Sequence, residues 1–259
     1  MKFLNFAKIM FVYLFWVNSV HNCYAETQFV SVVEKVEQSV GAIALYTPLE
    51  SEASQIMGTG FVIDNGNYAV TNYHVVNKSL DPTIVQYFVL LLGKGSKVKQ
   101  IKAEVLSIDP LHDLALLKLS DSVKSSLALG KDTMKKAGTD IAFTGFPIGA
   151  ILGLYPATHR GYIAAITPDA IPVNNTDQLS VQMLKRLGDK QLIYQLDATA
   201  YPGNSGSPVY LPETGEVVGI INKVVVKDTK ESALSSPSGI SYAVPVQYIK
   251  ALLNKNNAD

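Results

Sequence analysis

A serine set between glycines is the first stretch able to do chemistry: residues 201–210 read YPGNSGSPVY. Gly, Asn, Ser and Pro are turn formers, so the stretch could simply join two strands. It could instead present Ser205 as a nucleophile, with glycine letting neighbouring backbone N–H groups converge on one point. The second use demands a base. Beyond residue 25 the histidines are His74, His112 and His159, and all precede Ser205. That order excludes an α/β-hydrolase, whose histidine follows its serine. Ser207 also stands where that nucleophile motif requires glycine.

His74 lies in VTNYHVV, at the end of an apolar stretch beginning near Phe61 and ahead of a polar loop. A histidine at a strand end can face a cleft while the strand holds its backbone. Asp113 lies in DPLHDLALLKL, immediately before an alternating apolar strand. An acid at such a boundary can be buried beside a histidine and accept its Nδ1–H, which selects the tautomer. Asp109 reads as a solvated turn acid. His112 reads as a surface residue, and His159 as a residue of the surface or cleft rim. The order His74, Asp113, Ser205 then matches one known arrangement of base, orienting acid and nucleophile. Scattered histidines without an H-E-x-x-H motif point to no metal, and no cofactor motif is present.

These three residues come from distant parts of the chain, so the elements between them must bring them together. From Gly41 to Pro245 the sequence is a succession of short apolar runs separated by turns such as Asp64-Asn65-Gly66-Asn67. Many short strands at such spacing indicate an antiparallel barrel or sandwich. A polar stretch at 120–139 divides the strands into two small lobes. SVVEKVEQSV (31–40) has helical spacing, and PVQYIKALLNKN places Val246, Ile249, Leu252 and Leu253 on one face of a C-terminal helix at 245–255. Residues 168–191 interrupt the second lobe, with Leu179, Met183 and Leu187 at helical intervals.

The chain has 259 residues, with 22 Lys and Arg balancing 22 Asp and Glu. No basic stripe suggests nucleic acid. Residues 1–25 read as a signal peptide: Lys2 and Lys8, the apolar run IMFVYLFWV, and Ala25 at the cleavage point. The run is short of the ~20 residues of a membrane span. The expectation is export to the periplasm or medium, with membrane attachment only if the segment is retained. Cys23 and Trp16 are the only residues of their kinds, so the mature chain 26–259 would contain neither and would have no disulfide.

Together GTGFVI, VTNYHVV, DPLHDLALLKL, DATAYPGNSGSPV and GISYAVPVQYIKALL resemble the trypsin-like serine proteases of the bacterial HtrA group, across nearly all of Phe29 to Leu253. GNSGSPV also resembles the related glutamyl endopeptidases. The resemblance implies an all-β, chymotrypsin-like fold of two antiparallel six-stranded barrels, about 40–120 and about 139–245, with short terminal helices. It implies a serine endopeptidase acting on extended protein or peptide segments, with an oxyanion site at Gly203, Asn204 and Ser205. Substrate would lie beside Asn222, Lys223 and Val224. Ile221 and Val224 would line the S1 pocket, with Thr199 and Ala200 at its base and Lys223 facing solvent. A small or medium aliphatic P1 residue follows.

The sequence departs from its relatives in several places. Animal-type trypsins have an aspartate where Asn204 stands, so their zymogen pairing has no acid here. Glutamyl endopeptidases are expected to have a histidine at Ile221 and a hydroxyl at Ala200, which weakens that branch. HtrA proteins usually add a PDZ domain, which this sequence is expected to lack. The 168–191 expansion is a candidate for regulation or partner contact. Two alternatives stay open: a protease-fold module or chaperone that binds peptides by strand addition without turnover, and a glutamyl-type enzyme. Homo-oligomerisation also stays open.

Overall fold

Strands whose two faces are both buried read as continuous apolar runs, whereas half-buried strands alternate. VGAIALY (β1, Val40–Tyr46) and LALLKL (β6, Leu114–Leu119) are of the first kind. KVKQIKAEVLSID (β5, Lys97–Asp109) is mostly exposed. The computed structural model describes residues 28–48, 54–147, 153–169, 191–224 and 239–256. The signal-peptide reading of 1–25 and the helical spacing read within 168–191 lie outside the described residues. So do the side chains of Lys223 and Val224.

Two closed antiparallel barrels of six strands each make up the fold. The first runs β1, β2 (Ser54–Ile63), β3 (Tyr68–Thr71), β6, β5 and β4 (Tyr87–Lys94), and closes where β4 pairs with β1. The second is built from β7 (Asp140–Gly145), β8 (Ala157–Pro168), β9 (Leu192–Asp197), β10 (Pro208–Tyr210), β11 (Val217–Val224) and β12 (Ile240–Pro245). Its order is β10-β11-β12-β9-β8-β7, closing where β10 pairs with β7.

Helix α1 spans 28–37, a few residues before the expected 31–40. The Ser39 N–H bonds back to the Val36 carbonyl in a turn, and Val40 is drawn into β1 opposite Phe61. A single helical turn, α2 (Tyr73–Val76), follows β3, and α3 (Val246–Asn256) follows β12.

Three apolar clusters follow from this arrangement. Ile43, Leu45, Val62, Leu90, Ile101 and Leu117 fill the first barrel. Phe143, Ile163, Tyr194, Leu196, Val209 and Ile221 belong to the cluster within the second. The largest cluster lies between the barrels. Ala42, Ala44, Phe61 and Leu116 on the outer face of the first barrel join Phe146, Tyr210, Val217 and Ile220 from the second. Val32 and Val36 of α1 and Ile249 and Leu252 of α3 join the same cluster. The second buried face of β1 and β6 is therefore this seam.

Phe61 is fully buried in the seam. Phe61→Ala is expected to destabilise the protein by about 3–5 kcal/mol, since cavity formation adds to lost transfer energy. Urea unfolding midpoints of the two proteins measure it.

Candidate active site

Asp109 shapes the turn that delivers Asp113. Its Oδ1 accepts the N–H of Leu111 at 3.1 Å and of His112 at 3.3 Å, and its Oδ2 meets His112 Nδ1 at 2.5 Å. The His112 ring stacks on Tyr248 of α3 with centroids 3.9 Å apart. Asp109 and His112 are thus a half-buried pair tying the β5–β6 turn to the C-terminal helix. The expected solvated acid and surface histidine are both corrected. An acid three residues before a histidine in a tight turn can reach its ring, and an aromatic residue from α3 stacks on that ring. Burial pushes the Asp109 carboxyl up; hydrogen bonds from His112, its charge and the N–H of Leu111 outweigh that and hold the carboxyl below its ordinary range.

The turn ends at Asp113 with φ +55°, a left-handed conformation that aspartate tolerates better than most residues. Its carbonyl accepts the N–H of Tyr73 at 3.0 Å and Nδ2 of Asn72 at 3.1 Å. Its carboxylate then holds His74 twice. Oδ1 accepts the His74 backbone N–H at 2.8 Å, and Oδ2 lies 2.6 Å from Nδ1. The Asp113 side chain is 12% exposed and that of His74 48% exposed. A buried carboxylate on Nδ1 selects the tautomer that leaves Nε2 unprotonated toward the cleft. His74 sits on α2 and not at the strand end, because β3 stops at Thr71 and the bonds to Asp113 start a helical turn.

Ser205 arrives from the second barrel. A Cβ added at Gly58 of β2 would lie 2.8 Å from Val75 Cγ2 and 2.9 Å from the Ser205 carbonyl. The residue after His74 and the serine hairpin therefore meet at one point of the first barrel. Gly203 has φ +100° and Gly206 φ +89°, both in the range that favours glycine. The Asn204 N–H bonds to the Tyr201 carbonyl at 3.0 Å, Gly206 N–H to Ile221 O at 2.9 Å and Ser207 N–H to Asn204 O at 2.9 Å. The N–H groups of Gly203 and Ser205 donate to no described acceptor. Asn204 thus drops out of the expected set of oxyanion donors. Ser205 Oγ donates to the Asn222 carbonyl at 3.5 Å and not to His74.

The expected specificity residues divide. Thr199 is half-buried, while Ala200 and Ile221 are enclosed in the core of the second barrel. β11 turns Ile221 inward, into one apolar cluster with Phe143, Val209 and Ala200. Asn222 is buried with its Oδ1 unpartnered. His159 is a partly buried residue of β8: its ring stacks on Phe143 at 4.8 Å, and its Nε2 is buried without a partner. Burial lowers its pKa.

Thr59 was not singled out by sequence reading. Its N–H donates to the Ser205 carbonyl at 2.8 Å and its hydroxyl to the Gly203 carbonyl at 2.7 Å. The GTGF run belongs to the resemblance, yet nothing in one threonine announces a contact with a hairpin 144 positions away.

Residues 58–220 match the family model of the trypsin-like peptidase domain. The chain belongs to the trypsin-like peptidase family. Among curated proteins it is 28% identical over 266 residues to the serine protease Do-like HtrA of Lactococcus lactis subsp. lactis, covering 90% of this chain and 58% of that one. It is 30% identical over 196 residues to a probable periplasmic serine endoprotease DegP-like of Halomonas elongata, covering 76% of this chain and 34% of the relative. The chain therefore spans between about a third and three-fifths of the length of these relatives. The Rv3671c protease from M. tuberculosis in its active form superposes with a TM-score of 0.63 at 23% identity, covering 86% and 83% of the two chains. The HtrA-type protease AlgW with a decapeptide gives 0.62 at 19%, covering 89% and 66%. These structures share the two-barrel fold.

Two outcomes follow. Asp109→Asn is expected to cost about 1–2 kcal/mol, since hydrogen bonds to a charged group are lost. With its folded pKa held below the ordinary 3.8, Asp109 contributes stability above that value and loses it as pH falls through the lower folded value. The melting-temperature gap to wild type should be full at neutral pH and close in acid. His159 is also depressed, and its neutral form suits the fold. Its contribution is present above the ordinary 6.5 and falls away as the pH drops below it. His159→Phe should therefore lose less melting temperature than wild type between neutrality and about pH 5.

Proposed function

We propose that the chain is a serine endopeptidase of HtrA type that cleaves extended or unfolded protein segments. One arrangement carries the reading. A histidine held by a buried carboxylate shares a contact point with a hairpin offering a serine and two undonated N–H groups. Ser205 Oγ attacks the peptide carbonyl, His74 Nε2 takes its proton, and Asp113 stabilises the imidazolium. The Gly203 and Ser205 N–H groups receive the oxyanion, each worth about 3–4 kcal/mol in the transition state. To react, Ser205 Oγ exchanges the Asn222 carbonyl for His74 Nε2. Catalytic hydrogen bonds commonly tighten in this way only when substrate is bound.

The substrate main chain has a place to add. β10 and the hairpin accompany β11 only as far as Ile221, whereas β12 pairs with it to Val224. Residues 222–224 thus offer an edge to an extended peptide, the mode of strand addition. The accessible Thr199 is uncharged, and Ala200 and Ile221 make the wall behind it apolar. Burying an unpaired charge there would cost several kcal/mol, so P1 is a small or medium aliphatic side chain. Relatives named as periplasmic and the sequence of residues 1–25 support export. Among the described residues no helix is long and apolar enough to cross a membrane.

The bond from Ser205 to Asn222 favours one second reading, a module that binds peptides without turnover. A fluorophosphonate probe and casein hydrolysis separate the two. As a peptidase, wild type is labelled at Ser205 and Ser205→Ala is not. His74→Ala and Asp113→Asn then retain their melting temperatures while hydrolysis falls by about 10⁴-fold or more. Peptide binding without labelling or hydrolysis supports the second reading. A library profile dominated by Glu, Arg or Lys at P1 overturns the aliphatic pocket.

A further inference from the structure

Glycine at position 203 gives the hairpin a conformation that other residues avoid, but glycine alone does not choose it. A residue able to take either sign of φ readily leaves the direction of its N–H under-determined. Something else must fix the Gly203 torsions, which relate its carbonyl to the Pro202–Gly203 peptide that carries the N–H. The side chain of Asn204 does not, since both ends of its amide are buried without a hydrogen-bond partner in the protein. Ser207 Oγ is equally unpartnered. The pin comes from the other barrel. Thr59 Oγ1 donates to the Gly203 carbonyl at 2.7 Å and accepts the Phe146 N–H at 3.1 Å. On the next turn of the hairpin the Thr59 N–H holds the Ser205 carbonyl, and the Thr59 carbonyl takes a bond from Thr71 Oγ1 at 2.7 Å.

Thr59 is fully buried, so its hydroxyl bonds are shielded from competing water. The Gly203–Asn204 peptide is held at both ends, its carbonyl by Thr59 and its N–H by Tyr201. Of residues 203–207, only the Gly203 and Ser205 N–H groups donate to no described acceptor.

We propose that Thr59 is a positioning residue of the oxyanion site: its hydroxyl, reaching across from the first barrel, sets the orientation of Gly203 in the second. This rests on the endopeptidase reading, and it concerns transition-state stabilisation and not proton transfer. Loss of the hydroxyl removes the pin and leaves the His74–Asp113 pair, which Thr59 does not touch, unchanged.

The test is the second-order rate of fluorophosphonate labelling at Ser205, measured across pH well below the melting temperature. Thr59→Val keeps the shape and removes the hydroxyl; its labelling should slow about 100-fold, the scale of one lost oxyanion donor. The pH midpoint, which reports His74, should not move. Thr59→Ser restores the donor and should return the rate to within a few-fold of wild type. Should the valine variant fold poorly, Thr59→Cys, a weak donor of similar size, takes its place against Thr59→Ser. Valine or cysteine labelled at the wild-type rate overturns the inference, as does a serine variant as slow as valine, which would make the methyl group the active part. Failure of wild type itself to label defeats the endopeptidase reading instead, so the two failures are distinct.

Discussion

Everything at this site depends on the register between two barrels, held across the seam by the bond from the Thr59 N–H to the Ser205 carbonyl. The first barrel supplies the imidazole and its carboxylate. The second supplies the serine and the N–H groups. Neither barrel alone contains the proposed set, so its alignment depends on the packing of Phe61 and Leu116 against Phe146, Tyr210 and Ile220. A seam of interdigitated side chains is a stiff spacer, because interiors pack to crystal-like density and slide poorly.

Alignment within each barrel is handled differently. In the first, a chain of short polar contacts runs from Asp109 through the turn to Asp113 and on to the backbone of α2. The turn is also braced from outside by Tyr248. In the second, the hairpin is held by its own backbone, by β11 at Ile221 and by what reaches it from β2. Asp113 and His74 therefore sit in a locally self-supporting unit, whereas the hairpin of Ser205 is held from both barrels.

How much of this could be read from the sequence tracks whether a residue acts by its own chemistry or by its placement. His74 and Asp113 stood out because with Ser205 they follow the order of base, acid and nucleophile, and the structure brings His74 and Asp113 together. The two-barrel pattern stood out because turns punctuate every run. Asp109 and His112 were misread because the Tyr248 that stacks on the His112 ring lies in α3, far along the chain. Ala200 and Ile221 were placed from register by resemblance, which sets the residue but not the direction of its side chain. Thr59 was invisible because a threonine between glycines in a strand reads as strand, and its meaning comes from what crosses over it. The strand-addition site beside Asn222, Lys223 and Val224 was placed by resemblance, whereas the stop of β10 and the hairpin at Ile221 is seen only in the structure.

The double burial of β1 and β6 also has a bearing on how the chain is made. A ribosome delivers the first barrel while the residues that will cover its outer face are still untranslated. Ala42, Ala44, Phe61 and Leu116 stay uncovered until Tyr210, Val217 and Ile220 follow, and α3 comes after these. For that interval the nascent chain carries an apolar patch of the sort that recruits chaperones or drives association. Were the chain exported in extended form, as proposed, it would emerge before either barrel closed, and both halves of the seam would be present from the start.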